Sequence, residues 1–115
     1  MTIKSGIGID AQYVPTANAA IVTPTAGTRM KITSATFFAN TGAATLNLFI
    51  VASGGSPSAI NQTTVKAMVA NETYVANELI GQTIEDGGTL QANDGAGAGS
   101  DIAALITVTQ YSGTS

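Results

Sequence analysis

The chain has 115 residues, four Lys or Arg against seven Asp or Glu, and neither His nor Cys. Imidazole acid–base chemistry, thiolate nucleophiles, disulfides and Cys- or His-ligated zinc, haem or iron–sulfur centres are therefore excluded. A net charge of −3 with only Lys4, Arg29, Lys31 and Lys66 as cations offers no basic cluster, so no nucleic acid is expected as a partner.

The length fits one domain, which would expose roughly 16,700 Å² unfolded and about 5,800 Å² folded. Of the 44% hydrophobic residues many are small: the chain has 19 Ala, with only three Phe, three Tyr and no Trp. Seventeen Thr, 11 Ile and 7 Val favour pleated, half-buried surfaces, and 13 Gly, 8 Ser and 7 Asn supply turns. The composition is that of an all-β domain with a modest core.

Residues 1–27 contain Gly6, Gly8, Pro15 and Pro24, with β-prone pieces at 12–14 and 19–23. Prolines interrupt strands, so this stretch is predicted to be an extended N-terminal arm leading into one short strand, with the sandwich domain over 28–115. It shows neither a signal peptide's apolar run nor, elsewhere, an 18-residue apolar stretch, so no membrane partner is expected. Residues 28–39, TRMKITSATFFA, alternate around Met30 and Ile32, but Ser34 and Ala35 blur the phase and adjacent Phe37 and Phe38 cannot face the same side, which calls for a bulge or two-sided burial. After Asn40-Thr41-Gly42, residues 45–51 alternate through Leu46, Leu48 and Ile50, so the two runs read as a hairpin.

Residues 53–58, SGGSPS, make a flexible connection, and residues 59–70 suit a strand better than a helix. Short strands are predicted over 73–75, 79–84 and 89–92, separated by turns at Asn71-Glu72 and at 85–88, EDGG. After the loop at 93–100, residues 102–111 place Ile102, Ala104, Ile106 and Val108 on one face and Ala103, Leu105, Thr107 and Thr109 on the other. Seven to nine short strands at intervals of about 8 to 12 residues point to an antiparallel, jelly-roll-like β-sandwich.

Few motifs carry chemistry. Gly6-Ile7-Gly8-Ile9-Asp10-Ala11 has dinucleotide-loop glycine spacing, but Pro15 forbids the helix that such a loop must open. Glu85-Asp86 reads as a solvated turn rather than a carboxylate dyad, since no aromatic-lined cleft accompanies it. Asn93, Asp94 and Asp101 bring oxygens to a glycine-rich loop and leave a calcium site open, although their spacing fits no EF-hand. The silk-like GAGAGS at 95–100 occurs once and reads as a loop, and two Asn-X-Thr triplets are the common chance pattern of a Thr-rich chain. Lys66 has no serine beside it and no G-x-S-x-G elbow exists, which leaves no hydrolase signature. Tyr13, Tyr74 and Tyr111 suit sheet ends, with a receptor or glycan contact as their functional alternative. No catalytic, cofactor-binding or metal residue is assigned.

The run at 34–51, SATFFANTGAATLNLFIV, followed by Glu72-Thr73-Tyr74, by ELIGQTI at 78–84 and by GGTLQA at 87–92, resembles small β-sandwich virion proteins of tailed bacteriophages. Gly88 stands where those proteins often carry Asp. The resemblance implies a non-enzymatic structural protein, made in the host cytoplasm, that decorates or cements the outer capsid surface as a homo-oligomer, in the implied case a trimer, with the major capsid protein as partner and no cofactor. The alternative is a receptor- or glycan-binding module of a head fibre or tail.

Overall fold

A computed structural model describes residues 6–40, 42–95 and 102–112. Among the described residues nine strands form: β1 (Gly6–Tyr13), β2 (Ala19–Val22), β3 (Thr28–Ala39), β4 (Ala44–Val51), β5 (Gln62–Met68), β6 (Thr73–Val75), β7 (Thr83–Ile84), β8 (Thr89–Asn93) and β9 (Ile102–Ser112). One sheet, here sheet A, runs β1-β9-β3-β6 with β7 also on β3; the other, sheet B, runs β2-β8-β4-β5. Every pairing is antiparallel. The chain winds between the sheets, and among the described strands only β4 and β5 are sequence neighbours that pair, so the strand order is that of a jelly roll.

The alternation explains the core. Ile32, Ala35, Phe37 and Ala39 of β3 and Ile102, Ala104, Ile106 and Val108 of β9 face inward from sheet A, against Leu46, Leu48, Met68, Leu90 and Ala92 from sheet B. Phe37 is the only aromatic in this buried cluster, and alanines at 35, 39, 92 and 104 let the sheets close over few large side chains. The accessible surface of 5819 Å² equals what a compact monomer of this mass exposes, so the core is thin without being loose.

The blurred phase of β3 has a local cause. Its register against β9 shifts between Ile32 and Ser34, so one extra residue, Thr33, moves the inward set from Met30 and Ile32 to Ala35, Phe37 and Ala39. Phe37 is then fully buried while Phe38 is 37% exposed on the opposite face.

Three expectations are corrected. The supposed arm over 1–27 carries two strands: β1 pairs with β9 at eight consecutive positions and β2 pairs with β8, while Pro15 and Pro24 sit in the connections flanking β2. The glycine-spaced motif lies in β1, where glycine and isoleucine alternate along a strand. Residues 28–39 and 45–51 are no hairpin, because β3 joins sheet A and β4 sheet B. Their facing apolar rows meet across the core, so the chain passes from one layer to the other between β3 and β4. The expected strand over 79–84 shrinks to β7, because Asn77–Leu79 forms a 3-10 turn that drops Leu79 into the core.

Candidate functional site

The outer face of sheet A is divided along its strands. At one end, register aligns two rows across four strands: Tyr13, Ala103, Phe38 and Thr73 in one, Ala11, Leu105, Thr36 and Val75 in the next. None is charged, and Tyr13, Leu105 and Val75 are about half exposed. Six of these residues, with Gln12 and Ala104, line a shallow groove of about 500 Å³. At the other end Arg29 and Lys31 stand beside Tyr111 and Thr83 around a recess of about 360 Å³. Arg29 and Lys31 form no ion pair among the described residues. One face therefore presents an apolar end and a cationic end.

A second cluster closes the open side of the sandwich, where β5 of sheet B approaches β6 and the 3-10 turn. The Tyr74 hydroxyl donates to Glu78 Oε2 at 2.6 Å, and the Thr64 hydroxyl donates to the same oxygen. Lys66 Nζ lies 3.1 Å from Glu72 Oε2 and 5.9 Å from the centre of the Tyr74 ring. Glu72 Oε1 also accepts from the Val69 amide at 2.9 Å. These contacts tie one sheet edge to the other.

The ionisation of the cluster follows from its bonds. Partial burial opposes the Glu78 charge, but the hydroxyls of Thr64 and Tyr74 together outweigh it and hold the carboxyl below its ordinary range. The same carboxylate raises the Tyr74 hydroxyl, chiefly through their hydrogen bond, to about 12. Glu72 is lowered by the Val69 amide and then by Lys66. With one acceptor satisfied by two hydroxyls, the arrangement is a clasp between strands.

The remaining sequence candidates are placed as follows. Glu85 and Asp86 organise the loops at the cationic end: Glu85 Oε1 accepts from Ser53 N at 2.9 Å and Asp86 Oδ1 from Gly27 N at 3.0 Å. Gly88 has a steric reason to lack a side chain, since a Cβ there would stand 2.8 Å from the Val51 carbonyl oxygen. Of the calcium candidates, Asp94 is buried and Asn93 Oδ1 accepts from Asn47 Nδ2 and Gly95 N. Asp101 and residues 96–100, most of the silk-like stretch, lie outside the described residues. Among those described, no group of three or more acidic, His or Cys residues could hold a metal ion. Of the tyrosines, Tyr13 is exposed, Tyr111 is half-buried beside Arg29, and Tyr74 has its hydroxyl committed to Glu78.

An amide chain on the outside of sheet B was not foreseen. Asn93 Nδ2 donates to Asn18 Oδ1, Asn47 Nδ2 to Asn93 Oδ1 at 2.9 Å, and Gln62 Nε2 to Asn47 Oδ1 at 3.2 Å. Its sequence signal is the amides at Asn47, Gln62 and Asn93 in three separate β-prone runs, whose meeting depends on strand order.

No protein-family model and no curated protein matches the chain. Among solved structures, it is similar to a chain from Bacillus endospore appendages, described as forming a novel family of disulfide-linked pili. The TM-score is 0.55 with 12% identity, over 98% of this chain and 90% of that one. At that identity the likeness is one of fold. The disulfide link has no counterpart in these 115 residues, which contain no cysteine.

Proposed function

We propose that the chain is a non-enzymatic structural subunit that decorates or cements the outer surface of a phage capsid as a homo-oligomer, docking on the major capsid protein through the apolar end of sheet A. The observation that carries the reading is the uncharged double row of Tyr13, Phe38, Leu105 and Val75, set out by register across four strands. Taking ~150–250 Å² for a fully exposed large side chain, these four leave roughly 350 Å² of apolar surface in one patch, a size that on monomers often marks a contact site. The capsid itself enters through the resemblance of residues 28–112 to phage virion proteins.

The test is to mix purified protein with its own undecorated capsids. Binding with a raised capsid melting temperature, both lost in Leu105→Lys, is the expected result; wild-type protein that leaves the capsids unbound refutes the reading. A fibre subunit is the second reading, favoured by a fold shared over nearly the whole chain with a pilus protein. Filaments formed by the purified protein alone, seen by electron microscopy, would support it over capsid decoration.

A further inference from the structure

We propose that two copies of this chain join through β1, the free edge of each pairing antiparallel with the other so that sheet A continues from one molecule into the next. This goes beyond the function proposed above and holds whichever particle carries the protein. Among the described residues β1 is terminal in its sheet, and it pairs with β9 at eight successive positions without a bulge. Along such a strand alternate residues turn N–H and C=O toward the free side, where they meet water or another strand.

The other edges are each blunted. β2 has four residues and a register shift between Ala20 and Val22, while β6 has three residues and β7 two. β5 has seven but is irregular opposite Leu48 and Phe49, and it carries Lys66 in the clasp. Short length, bulges and lysines are the usual means of closing an edge. β1 has none of them: GIGIDAQY contains no proline, lysine or arginine. A second copy offers one edge of matching length, its own β1, and a two-fold axis pairs those edges antiparallel.

Two further points favour a second copy. A two-fold axis normal to the sheet sets residues of like parity opposite one another, so the register centred on Ile9 overlaps residues 6–12 and places Asp10 opposite Gly8 of the second molecule rather than opposite the other Asp10. Ala11 and Tyr13 are both β1 residues and part of the apolar rows, so the patch reaches the seam. That patch of roughly 350 Å² falls short of the ~800 Å² per partner of a stable interface, and a shared ladder of backbone hydrogen bonds supplies a second source of association. The seam is two-fold and therefore separate from the three-fold contact that a trimer requires.

The experiment combines sedimentation with amide hydrogen exchange on the full chain from micromolar to millimolar concentration. The expected result is a concentration-dependent species of twice the 11.5 kDa chain mass, with about half the β1 amides slowing tenfold or more as it forms. Successive amides of a strand point to opposite edges, so one of Ala11→Pro and Gln12→Pro removes an outward N–H and leaves the β9 ladder intact. That variant is expected to keep its circular dichroism and lose the dimer. If both prolines unfold the chain, exchange in the wild type decides alone. A monomer at every concentration overturns the proposal, as does a dimer whose β1 amides exchange at the monomer's rate.

Discussion

Glu78→Gln isolates the clasp between the sheets. Glutamine keeps the shape and an acceptor oxygen but removes the charge that draws the hydroxyls of Thr64 and Tyr74. Hydrogen bonds to a charged group are worth ~1.5–3 kcal/mol and neutral ones ~0.5–1.5. Two bonds would lose roughly 2 kcal/mol in a dry site; partial exposure and relief of the Glu78 desolvation cost reduce this to about 1 kcal/mol. For a chain of this size the melting point should fall by roughly 5 °C. The sign of the pH dependence follows from the lowered Glu78 carboxyl. A group depressed in the folded state stabilises it above the unfolded carboxyl's ordinary pKa of ~4.3, and that stability disappears as pH falls through the folded value. Urea unfolding of both proteins at pH 7 and pH 3 should therefore show a gap that closes in acid. A gap of equal size at both pH values, or none at pH 7, refutes the clasp.

The same substitution reads out through Tyr74. Absorbance at alkaline pH should show one tyrosine ionising near 12 in the wild type and returning toward ~10 in Glu78→Gln; an unchanged titration would mean that the hydrogen bond is not its cause. Phe37→Ala should cost about 3–5 kcal/mol, against less than about 1 for Phe38→Ala, in urea unfolding, and equal losses would contradict the bulge at Thr33. Gly88→Ala should cost about 1–3 kcal/mol, because its Cβ would sit 2.8 Å from the Val51 carbonyl oxygen; a neutral melting temperature would count against that close approach.

Legibility in the sequence followed the range of the interactions. The alternation of Ile102, Ala104, Ile106 and Val108 against Leu105 and Thr107 needs only the pleat of one strand, and it identified both faces of β9 correctly. The adjacent phenylalanines announced an irregularity in β3, and the shift lies a few residues earlier at Thr33, where Ser34 and Ala35 blur the pattern. Asn40–Gly42 announced a chain reversal, but a reversal into the same sheet and an arch into the facing one use the same turn residues. Both place apolar side chains inward, so local pattern cannot separate them. Prolines 15 and 24 suggested a broken arm because proline marks the end of a strand without saying whether another follows. The clasp was out of reach, since Thr64 and Glu78 lie 14 positions apart and meet only when the sheets close.

The apolar rows on sheet A show why the outer surface holds more information about role than the core. Inside, Ala35, Ala39, Ala92 and Ala104 keep the layers close, and that requirement is met in the same way whatever the protein does. Outside, nothing in the fold requires Tyr13, Leu105, Phe38 and Val75 to align across four strands while Arg29 and Lys31 occupy the far end. Threonine would serve those exposed positions as well and would be more soluble, as Thr36, Thr73, Thr107 and Thr109 of the same sheet illustrate. That apolar area, beside a bulge-free edge strand that carries no proline or lysine, is what the proposed assembly contacts rest on. The two features are also separable: Leu105→Lys adds charge to the face and leaves the β1 backbone untouched, whereas a proline in β1 does the reverse.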